Sequence, residues 1–170
     1  MDKNLERSNK DKILRRLAAD LKKKGFDRTK PTFFTRVVGP VIEFVHLHKY
    51  TFAAEFRAHL GIRVINDTRE AAGLNGPSSD AIWDARTKQR KYALVYGESA
   101  ESILICSKRI SDFVAEIGES WFATWAEHSL LMTAPDSPLP HDAKVALSAA
   151  LAGDYGIEDL AITKKYLNAP

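Results

Sequence analysis

The sequence predicts an α+β fold: an antiparallel sheet of about four strands packed against an N-terminal helix and later long helices, with a short helical tail. Two observations carry this. A basic amphipathic helix ends in Lys22-Lys23-Lys24-Gly25-Phe26, and at least three aromatic-rich segments with strand character follow it before residue 65. At 170 residues, 45% hydrophobic and 28% charged, the chain has the composition of a soluble globular unit with a sizeable core.

The first helix is predicted over residues 9–24. Ser8 and Asp11 stand at capping-box spacing, with Asp where Glu or Gln is usual. Ile13, Leu14, Leu17, Ala18 and Leu21 form one apolar stripe. Lysines in the last turn suit the negative end of the helix dipole, and Gly25 supplies a left-handed closing residue before Phe26.

Strands are predicted over residues 31–38, 41–48 and 51–64. The first is rich in aromatic and β-branched residues and stops at Gly39-Pro40. In the third, Phe52, Ala54, Phe56, Ala58 and Leu60 alternate with Ala53, Glu55, Arg57, His59 and Gly61, which predicts a sheet covered on one face. The favoured hairpin register sets Phe44 opposite Phe56, Ile42 opposite Ala58 and Glu43 opposite Arg57, with a short turn near residues 49–50.

Residues 66–89, rich in turn formers, predict a long irregular excursion, and residues 91–96 a fourth strand. A second helix starts near Ser99, its core stripe being Ile103, Cys106, Ile110, Phe113, Val114 and Ile117. Gly118 breaks or kinks it before a third helix with Trp121, Phe122 and Trp125. The Pro-rich run 134–140 reads as a linker, followed by helices over 142–152, closed by Gly153, and 157–167. The predicted organisation is an α+β domain over 1–134 and a helical extension over 135–170 packed on it.

Charge is uneven. The net charge is +3, yet residues 1–30 hold eleven Lys/Arg against five Asp/Glu. Between Glu98 and Ser129 six acidic residues face only Lys108 and Arg109. The acidic side of the second helix, Glu101, Asp112 and Glu116, is the candidate partner-binding surface, because such polarity steers a charged partner. No segment reaches the roughly 18 apolar residues of a membrane span, so no membrane association is predicted. The charged residues 1–12 lack the apolar core of a secretory signal, which predicts a cytoplasmic location.

The helix ending in Gly25-Phe26, the Thr32-Phe33-Phe34-Thr35-Arg36 strand and the strand from Phe56 to Gly61 resemble a bacterial family known as domain of unknown function 4304. The resemblance covers roughly residues 10–130. It implies a small bacterial protein of this fold and carries no activity with it. This chain departs from the pattern at Glu43, His46 and His48, where Gln or Asn is expected late in the second strand, and in the tail from Pro135 onward.

Candidate chemistry is sparse. Glu43, Glu55, Arg57 and His59 form a predicted polar cluster on the outer sheet face, a carboxylate–guanidinium–imidazole set capable of acid–base work if burial shifts a pKa. His46 and His48 share a strand face, but the favoured register turns His59 away, and a metal site would need Asp67 or Asp80 as a further ligand. No metal site and no cofactor are predicted. Cys106, the single cysteine, lies on a core stripe and reads as a packed thiol. Serines 78, 79 and 111 lack a nucleophile elbow, and no phosphate-binding glycine loop is present. The Trp121/Phe122/Trp125 cluster reads as core. Basic runs in the first helix and over residues 86–91 lack the stacking aromatics of RNA modules, so nucleic acid is not the expected partner. The expectation is a binding protein that recognises another protein, of immunity type; the alternative is a hydrolase-like enzyme built on the polar cluster.

Overall fold

A computed structural model describes residues 2–169. It has an N-terminal helix, a five-stranded antiparallel sheet and several later helices, an α+β fold. Helix α1 (Lys3–Lys22) begins six residues earlier than the capping-box spacing indicated. Asp2 is the true cap, its carboxylate accepting from the Asn4 and Leu5 amides at 3.0 and 3.3 Å. The extra turns bury Asn9, whose side-chain amide donates to the Gly97 carbonyl at 3.1 Å.

The sheet order is β1-β2-β3-β4-β5, with β1 (Asp27–Lys30), β2 (Phe33–Val38), β3 (Val41–Lys49), β4 (Glu55–Val64) and β5 (Leu94–Val95). Strand β1 was not expected, and β5 is shorter than the six residues predicted. The hairpin register differs too. His46 pairs with His59, His48 with Arg57, Phe44 with Gly61 and Glu43 with Ile62. This is offset from the expected pairing by an odd number of residues, so β3 presents the opposite face.

The physical reason is that both faces of the sheet are covered. Phe34 on β2, Val45 and Leu47 on β3, and Phe56, Ala58, Leu60, Ile62 and Val64 on β4 build the main core with Ile13, Leu14, Leu17 and Leu21 of α1. The outer face has its own small core of Ile42, Phe44, Leu167 and Ala169. There the Phe44 ring lies against Gly61, where an added Cβ would come within 2.2 Å of it, so only glycine fits opposite that ring.

Helix α2 (Ala100–Phe113) is capped by Ser99, and its regular turns give way to a π-helical turn over Val114–Gly118, where a kink was expected. Helix α3 (Glu119–Thr124) follows, then α4 (His128–Thr133), α5 (His141–Ala152) and α6 (Ile157–Leu167). Helix α5 places Ala143 and Leu147 in the main core. Helix α6 crosses the outer face. Its Thr163 hydroxyl accepts from Arg63 on β4 at 2.7 Å, while Asn168, just beyond it, donates to the Thr29 carbonyl on β1 at 3.0 Å.

The long excursion is ordered along the free edge of β4. The Leu60 amide donates to the Pro77 carbonyl at 2.9 Å, and Asn75 bonds both the amide and the carbonyl of Ile62 at 2.9 Å. Gly76 fits this close approach because a Cβ there would lie 2.6 Å from Trp121 and 2.8 Å from the Leu60 carbonyl. Among the described residues no helix is long and apolar enough to cross a membrane.

Candidate functional site

The four residues of the predicted polar cluster do not meet. Glu43 lies on the helix-covered face, 5% exposed, with Arg36 of β2 at 2.6 Å. The same guanidinium donates to the Lys24 carbonyl at 2.8 Å, pairs with Glu119 of α3 at 3.2 Å, and stands 4.4 Å over the Phe26 ring. Burial pushes the Glu43 carboxyl up, and Arg36 offsets only part of that. Glu55 starts β4 and pairs with Arg90 at 3.0 Å. Only Arg57 and His59 remain together on the outer face.

They have neighbours there that the expected register had turned away. Helix α6 covers one end of the outer face; toward the hairpin lie His46, His48, Arg57 and His59. The three histidines therefore share a face, contrary to the sequence-based expectation. The Phe33 and His46 rings stack at 4.2 Å between centroids, and His46 and His59 at 6.5 Å. Arg57 donates to the Asp80 carboxylate at 3.1 Å, the Tyr50 hydroxyl to the same oxygen at 3.4 Å, and the Ser78 hydroxyl to the other oxygen. Burial alone would raise the Asp80 pKa, but bonds from Ser78 and Arg57 hold it below the usual carboxylate range. Among the described residues no group of three or more His, Cys, Asp or Glu is arranged to hold a metal ion.

His46 titrates far from its ordinary range. Burial, followed by the charges of His59, His48 and Arg57, lowers its pKa to about 4. The unfolded chain takes up this proton near pH 6.5, whereas the folded protein resists until about pH 4. Stability from His46 is thus complete above pH 6.5 and is lost as the pH falls toward 4, by at most about 3 kcal/mol. Urea melts at pH 7.5 and 4.5 are expected to show this loss and to show less of it in His46→Phe, with a remainder from His59, which burial also lowers. An equal pH dependence in the variant would exclude His46 as its source.

The acidic positions of α2 and of the π-helical turn that follows it are largely answered within the molecule. Asp112 pairs with Lys108 at 2.7 Å, and Glu116 accepts from Lys91 and from the Tyr92 hydroxyl, both at 2.7 Å. Glu101 is exposed in the first turn. Cys106 is buried, and burial pushes its thiol up to about 12, which makes it inert. Phe122 and Trp125 are buried, and Trp121 packs partly buried against the core.

Phe52 overturns its predicted place. The expected third strand put it on the core face, but β4 begins only at Glu55, and residues 50–54 form the hairpin loop closed by Tyr50 N–H donating to the Glu55 carbonyl at 3.1 Å. Phe52 is 99% exposed at the tip. The signal missed was length: the alternation 52–60 is compatible with both a strand and a loop feeding a shorter strand.

Four concavities lie away from Arg57 and His59. One, of about 250 Å³, is lined by Lys3, Glu6, Arg7, Lys10 and Lys49. Another, of about 320 Å³, joins Lys12 and Arg16 of α1 to Ala100 and Ile103 of α2. An apolar one of about 220 Å³ sits beside α6. The fourth, of about 380 Å³, runs along α5 to the start of α6. Compared with protein-family models, curated proteins and solved structures, the chain matches none of them.

Proposed function

We propose that this chain is a recognition protein that binds another protein. On this reading it is a small bacterial cytoplasmic protein of the domain-of-unknown-function 4304 family, acting in the manner of an immunity protein that occupies the surface of a toxin. The observation that carries the reading is Phe52. A fully hydrated phenyl ring on a closed hairpin tip is costly to keep in water and gains roughly 1.5–3 kcal/mol when buried in a partner. The loop that carries it is closed by the Tyr50 N–H to Glu55 carbonyl bond.

Photo-crosslinking from position 52 in the native host tests this, with exposed Leu151 as the control position. An adduct from 52 and none from 151 is expected, and Phe52→Ser should weaken the purified pair by more than about tenfold. Equal labelling from both positions would remove the hairpin tip from the interface.

Glu101, Asp112 and Glu116 belong to the same proposal as a steering surface for a basic partner. Reversing all three to Lys should slow association more than it speeds dissociation, an effect that fades at about 0.15 M salt, where screening limits reach to about 8 Å. The fold should survive, since exposed pairs such as Lys108–Asp112 are worth roughly 0–1 kcal/mol. An association rate unchanged at low salt would exclude α2.

One observation favours a second reading, hydrolase-like acid–base chemistry. Arg57, Ser78 and Tyr50 all bond the Asp80 carboxylate on the uncovered end of the outer face, and the backbone of the neighbouring His59 bridges to Ser78. Hydrolysis of a panel of ester and phosphodiester substrates that disappears in His59→Gln would support it. With Glu43 on the opposite face and Glu55 engaged by Arg90, no carboxylate of the predicted quartet stands beside His59.

A further inference from the structure

Helix α2 carries two stripes. Ile103, Cys106, Ile110 and Phe113 point into the core. On the opposite side Glu101, Leu104, Ile105, Lys108 and Asp112 follow one another at spacings of three, one, three and four residues, which places them on a single outer face. Leu104 is 51% and Ile105 41% exposed, two adjacent large aliphatic side chains in the middle of that face. A charged side chain stands at either end of them.

The arrangement is symmetric. Glu101 lies three residues before Leu104, and Lys108 three residues after Ile105. A second α2 laid antiparallel across the first, about a two-fold axis passing between Leu104 and Ile105, sets Leu104 against the partner's Ile105 and Glu101 against the partner's Lys108. Each contact then occurs twice, as a self-complementary patch requires. Charge is complementary at both ends. Among the described residues no ion pair engages Glu101. Lys108 bonds both Asp112 oxygens, at 3.0 and 2.7 Å, and an ammonium with three donors has one left for a second carboxylate. Arg109, at the edge of the stripe, is held away by donating to the Ala93 carbonyl at 3.0 Å.

We propose that the outer face of α2 is the contact surface of a symmetric homodimer, its occupant a second copy of this chain. One helix from each side makes a small interface, below about 1,200 Å², which places the dimer among weak, concentration-dependent associations. The contact stands apart from the recognition reading, whose anchor Phe52 lies on the β3–β4 hairpin. A basic partner drawn to α2 competes with the second copy for Glu101.

Sedimentation equilibrium of the purified protein at low salt, from about 10 μM to about 1 mM, tests it. The average mass is expected to climb from one chain toward two. Leu104→Asp should weaken association at least about tenfold. Glu101→Lys and Lys108→Glu should each do the same, because each sets like charges face to face at both ends of the contact. Mixing those two variants should restore the dimer, since in the mixed pair both 101–108 contacts again join opposite charges. These positions are exposed, so the variants should keep the parent melting curve. Leu151→Asp, at a similarly exposed leucine on α5, should leave association unchanged. A mass of one chain throughout would overturn the proposal. So would association that Leu104→Asp leaves intact, that Leu151→Asp weakens equally, or that the mixture of charge variants fails to restore.

Discussion

Replacing Arg63 by methionine is expected to destabilise the protein by about 3–5 kcal/mol. Arg63 is 0% exposed and accounts for the attachment of two separate pieces of chain. Its guanidinium donates to the Asp67 carbonyl at 2.6 Å, the Arg69 carbonyl at 2.9 Å, the Ala71 carbonyl, and the Thr163 hydroxyl at 2.7 Å, and stands 5.7 Å over the Tyr166 ring. Methionine matches the stem but orphans these acceptors, each worth roughly 1–3 kcal/mol when buried without a partner. Loop relaxation recovers part of that sum. Hydrogen exchange should show α6 losing protection before the strands do. A loss below about 1 kcal/mol in urea melts, with α6 still protected, would mean that Leu167 and Ala169 hold the helix unaided.

Phe56→Ala should cost about 3–5 kcal/mol, the usual range for emptying a buried aromatic site. Phe56 is 1% exposed, stacks on Tyr96 at 5.3 Å and pairs across the sheet with Leu94, so the void would open where β4, β5 and α2 meet. A change below about 1 kcal/mol in denaturant melts would contradict the core-facing placement of β4. Phe56→Leu, which keeps most of the volume, should cost less than half as much, separating a cavity effect from a general loss of the strand.

Local signals in the sequence were enough for elements whose partners lie on one side. The α1 stripe is buried as its spacing indicates, and α6 runs over the residues its periodicity marks. The even positions of β4, Phe56, Ala58 and Leu60, face the core as their alternation requires. Strand β3 was different. Val41, Ile42, Phe44, Val45 and Leu47 supply apolar residues to both faces, so the pattern alone selects no face. Only a Glu43–Arg57 charge pair favours one register in the sequence, whereas the protein uses Arg36 for Glu43 and Asp80 for Arg57. Both true partners come from outside that hairpin. The misplaced register then scattered the histidines, which is why the outer-face cluster could not be assembled from the sequence. The α5 groove depends on Asn66 meeting residues near 142 and 154, a long-range juxtaposition with no local signature.

The helix that crosses the outer face sets the order in which the protein can be completed. Arg63 and Thr163 are 100 residues apart. At synthesis rates of about 5–20 residues per second, roughly 5–20 s separate the emergence of the two. Throughout that interval the sheet can pair, and α1 can cover its inner face, while Ile42 and Phe44 on the other face stay wet and Arg63 has no hydroxyl to meet. The nascent chain therefore passes through a half-roofed state whose apolar strip is open to wrong partners. Docking of α6 ends this exposure, so the helix acts as a late step in folding as well as a layer of the finished fold.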